Sequence, residues 1–147
     1  MSCYADTSFL VSLYGRDVNS RSAILLVQEG RPRFIVTPLG EAEFTNIVFA
    51  VTARPHGWTV NEARAMEEDF VRDLQAGVWD SEEVAAQTWQ RARELSRRHA
   101  PALGSRTLET IHVASALVLG AEDFYTFDRD QAKLARAAGL RVVGSRR

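Results

Sequence analysis

Short apolar segments alternate with amphipathic helical segments along this chain. In the first pair, an apolar run at residues 3–6 ends on Asp6, and Phe9, Leu10 and Leu13 then follow at helical spacing. Later strands are predicted at residues 33–37, 78–79 (an edge strand), 123–128 and 140–143. This alternation predicts an α/β fold with a mainly parallel central sheet flanked by helices.

The helices between these strands are predicted from apolar spacing and from capping signals. Thr59 and Glu62 form a capping box at the start of one helix. The predicted helices span residues 7–14, 20–30, 39–54, 60–77, 80–99, 107–119 and 131–138, with a loop at 100–104. The side chains predicted to face inward include Ile24, Leu25, Val84, Trp89, Ala92, Leu95, Leu108, Ile111 and Ser115.

Length and cysteine content limit the class of protein. A chain of 147 residues fits one domain, covering residues 1–147. The single cysteine, Cys3, excludes an intramolecular disulfide and a cysteine-based zinc site. The longest apolar runs, at 47–51 and 113–119, are too short to span a bilayer. We therefore expect a cytoplasmic protein that does not bind membranes.

Charge is distributed unevenly although the net charge is only −1. Residues 62–83 hold eight acids and two arginines, whereas residues 91–106 hold five arginines and one acid. Residues 129–147 hold five arginines and a lysine against one acid. These segments predict either a phosphate-facing side opposite an acidic side, or simply solvated helix faces.

Four acids are placed where a parallel sheet would bring them together. Asp6 and Asp128 end strands, whereas Glu43 and Glu109 lie near the starts of helices. Ligands bind beyond the carboxyl ends of parallel strands, although Asp6 is equally suited to cap the helix that follows it. A cluster of carboxylates without basic partners repels itself unless it holds a divalent cation. Oxygen ligands favour Mg²⁺ or Mn²⁺, which are used to cut phosphodiesters.

Neighbouring residues allow two interpretations each. His112 follows Glu109 by three residues and either shares its helix face or is a buried structural histidine. Asp130 is either a fifth acid or, as we expect, the N-cap of the last helix. Thr7, Ser8 and Thr126 either orient the carboxylates or serve in capping and strand packing.

Four segments together resemble a PIN domain. They are Tyr4-Ala5-Asp6-Thr7-Ser8, residues 37–44, residues 106–117, and Thr126-Phe127-Asp128. In length and spacing the chain is most similar to the VapC-type toxins of bacterial toxin–antitoxin pairs. The resemblance extends over essentially the whole chain, although residues 54–101 carry no motif.

The resemblance implies a three-layer α/β fold and an Mg²⁺- or Mn²⁺-dependent ribonuclease, the toxin of a type II toxin–antitoxin pair. Asp6, Glu43, Glu109 and Asp128 fall on the family's acidic positions, which implies that all four are catalytic metal ligands. Glu43 fits better than Glu41 because it directly precedes the apolar Phe44. The family usually has Asp where this chain has Glu109. The resemblance also implies a homodimer, an RNA substrate and a cognate antitoxin.

Two other functions remain open at this stage. The Glu at position 109 favours a non-catalytic PIN-like module that binds RNA or a protein. A phosphohydrolase acting on small substrates would need a closed pocket in place of an open groove. For a ribonuclease, the side chains expected to position the RNA backbone are basic: Arg91, Arg97, Arg98, Arg106 and Arg129.

Overall fold

The structure, a computed structural model, describes residues 1–30 and 33–145. Within these ranges, the strands are β1 Ser2–Ala5, β2 Arg33–Val36, β3 Trp79–Ser81, β4 Asp123–Thr126 and β5 Arg141–Gly144. The α-helices are α1 Thr7–Tyr14, α2 Ser20–Gly30, α3 Pro38–Ala50, α4 Val60–Gln75, α5 Gln87–Leu103, α6 Thr107–Val118 and α7 Arg129–Ala137. Arg146 and Arg147, which belong to the predicted basic segment, lie outside the described residues.

The five strands form one parallel sheet in the order β3-β2-β1-β4-β5. β1 lies at the centre, where Cys3 pairs with Phe34 of β2 on one side and with Asp123 of β4 on the other. Because all strands run in the same direction, their carboxyl ends share one edge of the sheet. The predicted α/β class, the parallel sheet and the edge position of β3 are confirmed.

Alternating strand side chains divide the core into one half on each face of the sheet. Phe34 contributes to the half that packs against Phe9, Phe44 and Phe70 from α1, α3 and α4. The next residue, Ile35, contributes to the other half, which contains the buried apolar side chains of α5, α6 and α7. The sheet is therefore the middle of three layers, as the resemblance implied.

The predicted boundaries of α5 are wrong at both ends. Its first residue is Gln87, because Asp80 and Ser81 belong to β3. It also continues through the predicted loop and includes Pro101. This proline lacks an N–H but lies in the last turn, and Gly104 then ends the helix with φ 62° by donating to the Ala100 carbonyl at 2.8 Å.

The apolar faces of three helices also differ from the prediction. Trp89 is 53% exposed and Leu108 is 47% exposed, and Ile24 and Leu25 are each nearly half exposed. In α5 the prediction is confirmed for Ala92 and Leu95, which are buried together with Thr88, and it is wrong for Trp89. In contrast, the capping box of Thr59 and Glu62 at the start of α4 is confirmed. Within the described ranges, no helix combines the length and apolarity that a membrane crossing requires.

Candidate functional site

A cleft of about 380 Å³ opens at the carboxyl edge of the sheet. The structure brings all four sequence-predicted acids together there: Asp6, Glu43, Glu109 and Asp128. Asp6 directly follows β1 and Asp128 lies two residues after β4, whereas Glu43 lies in the second turn of α3 and Glu109 in the first turn of α6. The remaining lining comes mainly from the starts of α1, α6 and α7, and it includes His112 and Arg106.

The Asp6 side chain is held by three groups, two at the start of α1 and one on β4. Its Oδ1 accepts hydrogen bonds from the Phe9 amide at 2.9 Å and from Ser8 Oγ at 2.7 Å. Its Oδ2 accepts one from Thr126 Oγ1 at 2.5 Å. Burial nevertheless raises the pKa of Asp6 above its ordinary value, and these hydrogen bonds oppose that rise. Asp6 is thus both the N-cap of α1 and part of the cleft.

Glu43 is bonded on one side to two groups from other elements. Its Oε1 contacts His112 Nε2 and accepts a hydrogen bond from Thr7 Oγ1 at 3.1 Å. Burial by itself would raise the pKa of Glu43, but the hydrogen bond from His112, followed by that from Thr7, outweighs burial and lowers it. Thr7 and His112 therefore fix the position of this carboxylate.

Glu109 is paired with Arg106 at the start of α6. Its Oε2 accepts a hydrogen bond from the Arg106 amide at 2.9 Å, in the manner of a capping box. Its Oε1 accepts bonds from Arg106 Nη2 at 2.7 Å and Nε at 3.0 Å. The expectation that the acids lack basic partners is therefore wrong, since Arg106 faces Glu109 and His112 faces Glu43.

Asp128 caps α7, and this corrects the prediction that Asp130 is the cap. Asp128 Oδ1 accepts hydrogen bonds from the amides of Asp130 and Gln131, both at 2.9 Å. Asp130 is exposed and lies 3.6 Å from the Lys133 ammonium. Among the described residues, no donor bonds Asp128 Oδ2. The capping role occupies one oxygen of Asp128 and leaves the other for the cleft.

The donor atoms of the cleft suit a hard divalent cation. All four acids offer carboxylate oxygens, which Mg²⁺ and Mn²⁺ prefer, and no cysteine thiol is near to favour zinc. Yet across residues 1–30 and 33–145, no three acidic, histidine or cysteine side chains are grouped closely enough to ligate one ion. Their oxygens bond instead to hydroxyls, Arg106 and His112, so a cation would have to replace some of these partners.

Sequence reasoning missed the ways in which Arg106 and His112 contact the acids. Arg106 precedes Glu109 by three residues and His112 follows it by three, so both spacings place the side chains on neighbouring turns. That periodicity was the available signal. All five arginines predicted to contact RNA are exposed, but only Arg106 lines the acidic cleft.

The family comparison matches most of the chain. The model of the PIN domain family matches residues 3–137. No curated protein has a sequence that matches this chain significantly.

Two solved structures share the fold. One is Mycobacterium tuberculosis VapC20, described as a sarcin-ricin loop cleaving toxin, with a TM-score of 0.69 and 22% identity over 99% of each chain. The other is VapBC2 from Rickettsia felis, bound to a DNA fragment from its promoter. It has a TM-score of 0.66 and 14% identity over 97% of this chain and 98% of that one.

Proposed function

This chain belongs to the PIN domain family, and on that premise we propose that it is a ribonuclease that cuts RNA phosphodiester bonds with a divalent cation. The observation that carries the proposal is the meeting of Asp6, Glu43, Glu109 and Asp128 in one cleft. Carboxylate oxygens are the ligands that Mg²⁺ and Mn²⁺ prefer, so four acids lining one cleft favour an enzyme that uses a cation over a binding module that uses none.

The four acids would hold Mg²⁺ or Mn²⁺ between them. Such a cation supplies a Lewis acid for the phosphate and lowers the pKa of bound water. Asp6 keeps its position through Ser8 and Thr126, so its carboxylate is oriented before any ligand arrives. Arg106 is exposed at the rim of the cleft, where its guanidinium can contact an RNA phosphate once it leaves Glu109.

The biological setting of the activity is also part of the proposal. The similarity of fold to VapC20 and VapBC2 supports a toxin that acts in the cytoplasm and is neutralised by a cognate antitoxin. We propose a homodimer for the same reason. The exposed arginines Arg91, Arg97, Arg98 and Arg129 would contact the RNA backbone further from the cleft.

The proposal predicts the outcome of replacing Asp6 by Asn. Asn still caps a helix start, so α1 should form normally. RNA cleavage should fall by at least about 100-fold, because a lost cation ligand removes several kcal/mol of transition-state stabilisation. Cleavage of a structured RNA by wild type and Asp6→Asn in Mg²⁺, Mn²⁺ or EDTA measures this effect. Glu68→Gln, an exposed charge change on α4, is the matched control and should cleave normally.

Stability of the metal-free protein provides a second measurement on Asp6→Asn. Burial raises the pKa of Asp6 in the folded protein above its value in the unfolded chain. The free energy of unfolding therefore falls as pH rises from the unfolded pKa through the folded pKa. At pH 7 in EDTA, Asp6→Asn should therefore melt no lower than wild type.

Three results would refute the proposal. These are full cleavage by Asp6→Asn, full cleavage in EDTA, or no cleavage and no Mn²⁺ binding by wild type. The last result would favour the non-catalytic module. Rapid hydrolysis of p-nitrophenyl phosphate without cleavage of RNA would favour the phosphohydrolase.

A further inference from the structure

His112 connects three elements at the inner wall of the cleft. It lies on α6, its side chain is almost completely buried, and it contacts Tyr4 of β1 and Glu43 of α3. His112 Nδ1 is 2.7 Å from Tyr4 Oη, and its Nε2 bonds Glu43 Oε1. Both ring nitrogens therefore have partners, which fixes the orientation of the imidazole.

The direction of each hydrogen bond follows from a chain of donors behind Tyr4. Thr37 Oγ1 accepts from the Gly40 amide at 3.4 Å and lies 3.2 Å from Tyr4 Oη. In one direction, the Thr37 hydroxyl donates a hydrogen bond to Tyr4 Oη, and the Tyr4 hydroxyl donates one to His112 Nδ1. Each hydroxyl then donates one hydrogen bond. The reverse direction leaves the Thr37 hydroxyl proton without an acceptor among the described residues. The donor chain therefore leaves the imidazole proton on Nε2, facing Glu43.

This arrangement treats the two oxygens of Glu43 differently. Oε1 receives bonds from both His112 and Thr7, whereas no donor among the described residues bonds Oε2. Glu43 lines the cleft, so Oε2 is the oxygen left for a ligand there. Histidine commonly orients an acidic or metal-bound group through one nitrogen while the other nitrogen is fixed by a second hydrogen bond.

We propose that Tyr4 and His112 are positioning residues for Glu43: the imidazole, oriented by the Tyr4 hydroxyl, donates from Nε2 to Oε1 and leaves Oε2 alone to bind the cation. The inference rests on the proposed function, because it assigns Glu43 to the cation. It adds two residues that would not touch the cation or the RNA themselves.

The experiment compares Mn²⁺ affinity by titration calorimetry in the full-length, metal-free chain. His112→Leu removes the donor to Glu43 and should weaken Mn²⁺ binding by about 10- to 100-fold, the usual effect of losing an outer hydrogen-bond partner. His112→Gln places an amide N–H near the position of Nε2 and should recover most of that affinity. Tyr4→Phe keeps the aromatic packing, removes only the hydroxyl and should weaken Mn²⁺ binding by up to about 10-fold. His99→Gln, a histidine outside the cleft, is the control and should bind as wild type.

A ¹⁵N–¹H correlation spectrum of the imidazoles gives a readout that is independent of cations and RNA. In EDTA, the signal that disappears in His112→Gln should show a proton on Nε2. A ring whose only proton is on Nδ1 would overturn the proposal.

The calorimetric outcomes separate this proposal from the proposed function. In one outcome, wild type binds Mn²⁺ and cleaves RNA, and both His112→Leu and Tyr4→Phe bind Mn²⁺ with wild-type affinity. The positioning role is then wrong, and the proposed function stands. A fall in melting temperature without a fall in Mn²⁺ affinity has the same meaning, because a merely structural histidine would give that result. If His112→Leu does not fold, Tyr4→Phe decides the question. If wild type binds no Mn²⁺, both proposals fail.

Discussion

At the scale of single residues, Glu109 has two roles that compete for the same carboxylate. It accepts a hydrogen bond from the Arg106 backbone amide at the first turn of α6, and it forms an ion pair with the Arg106 guanidinium. In the metal-free protein, the guanidinium thus neutralises the negative charge of Glu109. In the proposed enzyme, a cation would neutralise the same charge. The longer Glu side chain makes this pair possible because it reaches back to the residue that precedes the helix.

Substitution of Glu109 tests which role dominates. Glu109→Asp should keep or raise Mn²⁺ affinity, because a carboxylate remains but reaches Arg106 less well. Glu109→Gln should keep the helix cap, because Gln also accepts a hydrogen bond from the Arg106 amide. It should lower Mn²⁺ affinity by about tenfold or more, because the side chain is uncharged. Glu109→Ala should lose both. Calorimetric titration of the three variants measures the effect, and equal affinities would remove Glu109 from the site.

At the scale of elements, Asp128 is both the N-cap of α7 and part of the lining of the cleft. One oxygen of Asp128 caps α7 and the other has no donor among the described residues. Capping and cation binding can therefore be separated by mutation. Asn caps a helix as well as Asp does, whereas Ala does not cap.

We expect Asp128→Asn to retain the stability of the metal-free protein while weakening Mn²⁺ binding. Asp128→Ala should weaken binding too and lose about 1 kcal/mol of stability. Thr59→Ala, which removes the cap of α4 outside the cleft, should lose similar stability without changing Mn²⁺ affinity. Urea denaturation and calorimetry on the three variants measure the two effects. Normal Mn²⁺ binding by Asp128→Asn would contradict the metal role.

The helices also show how far the sequence predicts this fold. Strand order along the chain, the parallel sheet and the four acids follow from local patterns, because each depends on a residue and its immediate neighbours. The inward face of α6 does not. Apolar spacing indicates Leu108, Ile111 and Ser115. Ser115 is indeed buried, but Leu108 is exposed, and the buried stripe begins at Glu109 and includes His112.

The physical reason is that α6 borders a polar cleft at its start and an apolar core further on. Glu109 and His112 are buried because Arg106, Tyr4 and Glu43 satisfy their polar atoms. Tyr4 and Glu43 are remote from His112 in sequence, and the apolar spacing of a single helix indicates neither of them nor the pairing of Arg106 with Glu109. In α5, the buried positions are Thr88, Ala92 and Leu95, and the large apolar Trp89 lies outside this stripe.

At the scale of the whole molecule, the reactivity of Cys3 measures how often the central strand becomes exposed to solvent. Its side chain is completely buried in β1, and burial, followed by the nearby charge of Asp123, raises its pKa to about 11. The thiolate is the reactive form, so the native thiol should be inert at pH 8. We expect iodoacetamide to label Cys3 only through unfolding, at a rate that rises with urea. Mass spectrometry measures this rate.

An exposed thiol provides the control for this labelling. Ala65→Cys adds a cysteine on the solvent-facing side of α4 and should take up one equivalent of iodoacetamide in native buffer. Rapid labelling of Cys3 in the same buffer would mean that the centre of the sheet opens without global unfolding.

The strand order has a consequence for synthesis on the ribosome. β1 is the first strand to be translated, yet one of its two neighbours, β4, begins only at Asp123. A nascent chain therefore carries Asp6 and Glu43 long before Glu109 and Asp128 exist, and it lacks one wall of the cleft throughout. For a nuclease whose substrate is RNA, this order separates translation from activity. In the proposed ribonuclease, the ribosome therefore translates the chain through Asp128 before all four acids of the cleft are present.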